Sequence, residues 1–131
     1  MITAERKPFD EILALVGDKK KILVAGCDTC VAICLTGGEK EAEVLASELR
    51  IKAEQDGTGA EVEHTAAIRQ CEWEYLDMIA DKVEAADIVV SMACGIGIQS
   101  MAEKFEPKLV VPAVDTNMLG MPQEHALWLE R

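Results

Sequence analysis

The stretch KILVAGCDTCVAICLTGGEKEAEVLASELRIKAEQDG, residues 21–57, reads as a buried strand, a cysteine-bearing loop and a helix. Lys21 to Gly26 is an apolar run too short for a helix and suits a strand covered on both faces. Residues 27–38 are loop-like and end in Gly37-Gly38. Glu39 to Gln55 is rich in strong helix formers, and Gly57 stops it.

The same alternation continues downstream. Residues 60–66 (AEVEHTA) form a weak strand, poor enough in apolar residues to belong at a sheet edge. Trp73 to Ala86 reads as one helix with Leu76, Ile79, Ala80 and Val83 facing inward. Asp87 to Ala93 (DIVVSMA) is a buried strand, and Ile98 to Phe105 a short helix. Lys108 to Val114 (KLVVPAV) is a fourth strand, with Pro112 marking a bulge or an edge. Upstream, Pro8 opens a helix that runs through Val16 and stops at Gly17. The tail from Asp115 reads as irregular, with a helical turn expected near Glu124 to Glu130.

Strands separated by helices imply right-handed crossovers and a parallel sheet. The expected fold is α/β: a three-layer sandwich around a four-stranded parallel sheet, Rossmann-like or flavodoxin-like. By analogy with such folds, the strand order is second, first, third, fourth. With 131 residues, half of them apolar, residues 1–131 make one domain.

Charge and patterning exclude several functions. A net charge of −11 repels phosphate backbones and anionic lipid, and few aromatics are present to stack on bases. No run of eighteen apolar residues occurs, so no membrane span is expected. Residues 1–10 are charged and lack the apolar core of a secretory signal, which points to the cytoplasm. Structural disulfides are rare in that reducing compartment.

Five cysteines therefore need another reason: Cys27, Cys30, Cys34, Cys71 and Cys94. In a parallel sheet every strand ends at the same edge. Cys27 follows the first strand of the sheet, Cys71 lies after the second and Cys94 follows the third, so three connections deliver a thiol to one edge. If the third strand neighbours the first, Cys27 and Cys94 flank the switch point where open α/β sheets bind ligands. Cys27-x2-Cys30-x3-Cys34 adds a local thiol cluster of the kind that holds a soft metal centre. Only one Cys-x2-Cys pair and two histidines are present, which favours an iron–sulfur cluster, which takes four thiolates and is expected as 4Fe-4S, over structural zinc. Five thiols exceed four ligands, so one is expected to stand beside the centre rather than on it. Gly37, Gly38, Gly95 and Gly97 are expected to shape the loops around it.

Other readings compete. Small buried hydrophobes or a thioredoxin-type pair would also use cysteine. Gly95-x-Gly97-x2-Ser100, with Asp115 twenty residues past Gly95, suggests a nucleotide-binding fingerprint, weakened by its place late in the chain. His64 and His125 have no assured acid or thiol beside them, and Met92, Met101, Met118 and Met121 read as packing.

The blocks GCDTCVAICLTGGEKEA (26–42), RQCEWE (69–74), MACGIGIQSMAE (92–103) and NMLGMPQEHALWLER (117–131) resemble the methylenetetrahydrofolate reductase C-terminal domain family. That family includes the small iron–sulfur partner subunit of bacterial methylenetetrahydrofolate reductases. The resemblance implies that all five cysteines match the family's cysteine positions. It also implies electron transfer beside a flavin-containing catalytic subunit as partner, with this chain itself non-catalytic. Family members continue into a second cysteine-rich segment, so the chain reads as a form lacking it.

Overall fold

A computed structural model describes residues 2–122 and 128–130, with side chains from Ala4 to Asn117. The elements in chain order are β1 (Ile2–Arg6), α1 (Phe9–Val16), β2 (Lys21–Cys27), α2 (Cys30–Ile33) and α3 (Glu39–Asp56). There follow β3 (Glu61–Ala67), α4 (Trp73–Asp77), α5 (Ala80–Ala85), β4 (Ile88–Ser91), α6 (Gly95–Lys104), β5 (Leu109–Pro112), β6 (Val114–Pro122) and β7 (Trp128–Glu130).

The four parallel strands lie in the order β3-β2-β4-β5, as expected. The alternation of side chains along β2 divides the core. Ile22 and Val24 face one layer with Ile12 and Val16 of α1 and Ala42, Leu45, Ala46 and Leu49 of α3. Leu23 and Ala25 face the other, with Leu76 of α4, Val83 of α5 and Met101 of α6. Small Ala42 and Ala46, both fully buried, let α3 lie close on the sheet. The apolar-poor β3 and the Pro112-bearing β5 occupy the two edges, where unpaired backbone groups are tolerated. Met92 and Met101 are fully buried packing residues; the side chains of Met118 and Met121, and all of His125, lie outside the described residues.

Several boundaries differ from the sequence reading. The expected Trp73–Ala86 helix is two short helices, because Ile79 leaves helical geometry at φ −114° and ψ 8°. No glycine or proline marks that break. Residues 27–38 contain the single helical turn α2, and α6 begins at Gly95 rather than Ile98. The described part of the tail is strand rather than irregular: β6 pairs antiparallel with β1, and β7 with β6, in a second sheet of order β1-β6-β7. Of the helical turn expected near Glu124 to Glu130, residues 128–130 are strand, and residues 124–127 lie outside the described residues. Antiparallel pairing with the neighbouring β6 overrides local helix preference there.

The second sheet is tied to α3 through Arg6 of β1, whose guanidinium donates to both Glu48 oxygens at 2.8 and 2.7 Å. That hydrogen bonding holds the Glu48 carboxyl below the usual carboxylate range. Its stabilisation is complete at neutral pH and fades as pH falls through the lowered value. The pair is part-exposed, so Arg6→Ala and Glu48→Ala should each cost about 1 kcal/mol. The double variant should cost clearly less than the two losses added together, as urea unfolding would measure.

Candidate metal centre

The order of strand winding reverses between the parallel neighbours β2 and β4. From β2 the chain crosses to β3 on one side, and from β4 to β5 on the other. The C-terminal ends of β2 and β4 therefore border the crevice that such a switch point creates. Cys27 is the last residue of β2, and Cys94 precedes the first residue of α6 just beyond β4. Cys71 stands in the turn between β3 and α4.

These three thiols lie within electrostatic range of one another. Burial pushes the Cys27 thiol up, and a negative charge on Cys71 or Cys94 would push it further. The Cys71 thiol is likewise raised, first by burial and then by Cys94 among its neighbours. Opposing this at Cys27 are the backbone N–H groups of Gln70 and Thr29, which face its sulfur and favour the thiolate. Exposure is graded across the set: Cys27 is buried, Cys94 half-buried and Cys71 exposed.

The loops are pinned by their own backbone. Asp28 N–H donates to Ala67 O at 3.0 Å, and Cys27 N–H to Gly37 O at 2.8 Å. The Thr29 hydroxyl donates to Ile68 O at 2.5 Å, holding the start of α2 against the exit of β3. Cys30 opens α2 at this edge and is half-buried. Cys34 turns elsewhere: its sulfur lies 3.3 Å from the Thr36 hydroxyl and 3.5 Å from Val31 O, and it points toward Ala4 O on β1.

The glycines divide by role. A Cβ on Gly37 would sit 2.0 Å from Met92 O, and one on Gly97 2.7 Å from the Ala93 Cβ and 3.1 Å from the Gln70 Cβ. One on Gly38 would come within 2.9 Å of the Ala32 Cβ, whereas Gly95 faces open space. Gly37, Gly38 and Gly97 thus serve close packing of the loops, and Gly95 leaves the mouth of the site uncluttered. His64 is half-buried on β3, paired in register with Val24, three residues short of the cysteine edge. Asp115, the acid of the nucleotide reading, is engaged by the Lys7 ammonium.

Among the described residues, no three cysteine, histidine or acidic side chains converge tightly enough to hold a metal ion. A tetrahedral zinc site with bonds near 2.3 Å needs its thiolates only about 3.8 Å apart. A polynuclear cluster spreads its thiolates more widely, because each sulfur binds a different iron. The donor chemistry, all thiol with backbone N–H groups aimed at Cys27, fits such a cluster.

Gln70 and Ser91 are the site residues that sequence reading passed over. Both are fully buried and polar. The signal was a serine inside the apolar run DIVVSMA and a glutamine directly before Cys71. The site thus belongs to a thiol-bearing switch point on a parallel α/β domain. Comparison with family models, with curated proteins and with solved structures gives no match to this chain. No helix among the described residues is long and apolar enough to cross a membrane.

Proposed function

We propose that this chain is an iron–sulfur electron-transfer or accessory module, with Cys27, Cys30, Cys71 and Cys94 as ligands. The observation that carries the reading is the gathering of Cys27, Cys71 and Cys94, from three separate connections, at the switch point of the sheet. Cys30 is the natural fourth thiol, three residues after Cys27 at the start of α2, because Cys34 is committed to the α2–α3 turn. A bound cluster supplies reversible one-electron transfer. The chain's own residues hold it: backbone N–H groups at Cys27 stabilise thiolate charge, and exposed Cys71 leaves one side open to a redox partner.

The resemblance to the methylenetetrahydrofolate reductase C-terminal domain family suggests C1-folate reduction in the cytoplasm, with a flavin-containing catalytic subunit as partner. The charge of −11 suits a basic docking face and a salt-sensitive complex.

Anaerobic reconstitution with ferrous iron and sulfide tests the assignment. The expected product is brown, with broad charge-transfer absorption and iron and acid-labile sulfide in equal amounts. A colourless protein that retains zinc, or no metal at all, would refute it.

A further inference from the structure

We infer that Gln70 and Ser91 are positioning residues, a buried clamp that fixes the three cysteine-bearing connections at one spacing before any metal arrives. The purpose of the clamp rests on the cluster reading above; its geometry does not.

The backbone ladders reach Cys27 on its β3 side but stop short of Cys71 and Cys94. Pairing of β2 with β4 ends at Ala25–Ser91, two residues before Cys27 and three before Cys94. Pairing of β2 with β3 ends at Cys27–Ala67, four residues before Cys71. Beyond those points a side-chain network takes over. The Gln70 amide nitrogen donates to Ala25 O and to Gly26 O, each at 2.9 Å. The Ser91 hydroxyl donates to Gln70 Oε1 at 2.6 Å and accepts from Ala93 N–H at 3.3 Å. Gly26, Gln70 and Ala93 are the residues immediately before Cys27, Cys71 and Cys94. One network therefore reaches the residue preceding each of the three thiols.

Both amide protons of Gln70 are used on fixed carbonyls, and its oxygen takes the one hydroxyl proton of Ser91. The amide orientation is thereby dictated, and a fully satisfied buried network of this kind specifies geometry. Gly97 completes it, since any side chain there would strike Gln70 and Ala93. Stability alone does not call for such a pair: hydrogen bonds contribute modestly net, and an apolar pair of similar shape would fill the space.

The test compares Ser91→Ala, Gln70→Met and the conservative Ser91→Thr with Val62→Ala. Val62 is buried at the opposite end of the sheet, opposite Ile22, and controls for lost stability. The first readout needs no metal. In a Cys30→Ser, Cys34→Ser background, a short bifunctional thiol reagent bridges pairs among Cys27, Cys71 and Cys94. Bridging should be efficient in that parent and in the Val62→Ala chain. It should slow about tenfold in Ser91→Ala and Gln70→Met, with recovery in Ser91→Thr. The second readout, on the full-cysteine chain, is release of iron to a chelator, expected to be about tenfold faster in the same two variants.

Unchanged bridging in a folded Ser91→Ala or Gln70→Met chain would overturn the clamp, as would equal slowing in Val62→Ala. Should Gln70→Met fail to fold, the smaller Ser91→Ala change carries the test. Slower bridging in a protein that takes up no iron or sulfide would uphold the clamp and sink the cluster reading alone.

Discussion

A Cys27→Ser chain is expected to leave anaerobic reconstitution with less than about a tenth of the iron and sulfide that its parent retains. Cys27 is the one buried thiol of the set, it lies within range of both Cys71 and Cys94, and two backbone N–H groups face its sulfur. A serine hydroxyl there is a harder, far less acidic donor and cannot replace a thiolate on iron. Cys34→Ser should behave oppositely, keeping nearly all of the cluster. Its sulfur already sits among the Thr36 hydroxyl and the Val31 carbonyl, where a hydroxyl fits as well. Paired iron and sulfide assays on the two variants decide the matter. Equal retention in Cys27→Ser and parent would remove Cys27 from the site, and loss in Cys34→Ser would show that the α2–α3 turn rearranges to bring its thiol in.

That contrast marks where sequence legibility ended. Apolar runs and helix formers gave the parallel sheet, since strand and helix periods are local properties of the chain. Topology then carried Cys27, Cys71 and Cys94 to one edge without any knowledge of side-chain positions. Cys34 was different. Its distance from Cys27 suggested a shared centre, but the direction of its side chain depends on α2 and on β1, and neither was legible. The turn α2 has only four residues, and β1 is a strand only because β6 pairs with it more than a hundred positions later. The Gln70–Ser91 network was hidden for the same reason, because a hydrogen bond between residues 21 positions apart follows from the register of the finished sheet. Exposed Ile33, Ile68, Trp73 and Ile96, all close in sequence to cysteines, likewise carry no periodic signal that sets them apart from core.

Gly37→Ala is expected to destabilise the domain by about 2–4 kcal/mol, a large part of what holds a domain of this size together. The new Cβ would lie 2.0 Å from Met92 O and 2.9 Å from a methyl of Val31. Neither neighbour can yield cheaply: the first is backbone beyond β4, and Val31 is buried under the sheet edge. Moving Gly37 away instead would stretch its carbonyl from Cys27 N–H, a 2.8 Å bond that closes the first thiol loop. Gly95→Ala provides the contrast. Nothing lies within 4 Å of its added Cβ, and alanine is the better helix former, so stability should hold within about 0.5 kcal/mol. Urea unfolding of both metal-free variants by far-UV circular dichroism gives the comparison. Unaltered stability in Gly37→Ala would mean that the turn does not pack against Met92 as described. A large loss in Gly95→Ala would mean that the mouth of the site is more crowded than this geometry allows. If both behave as expected, the two glycines flanking the thiols have opposite duties: Gly37 lets backbone meet backbone behind the site, and Gly95 keeps side-chain atoms out of its mouth.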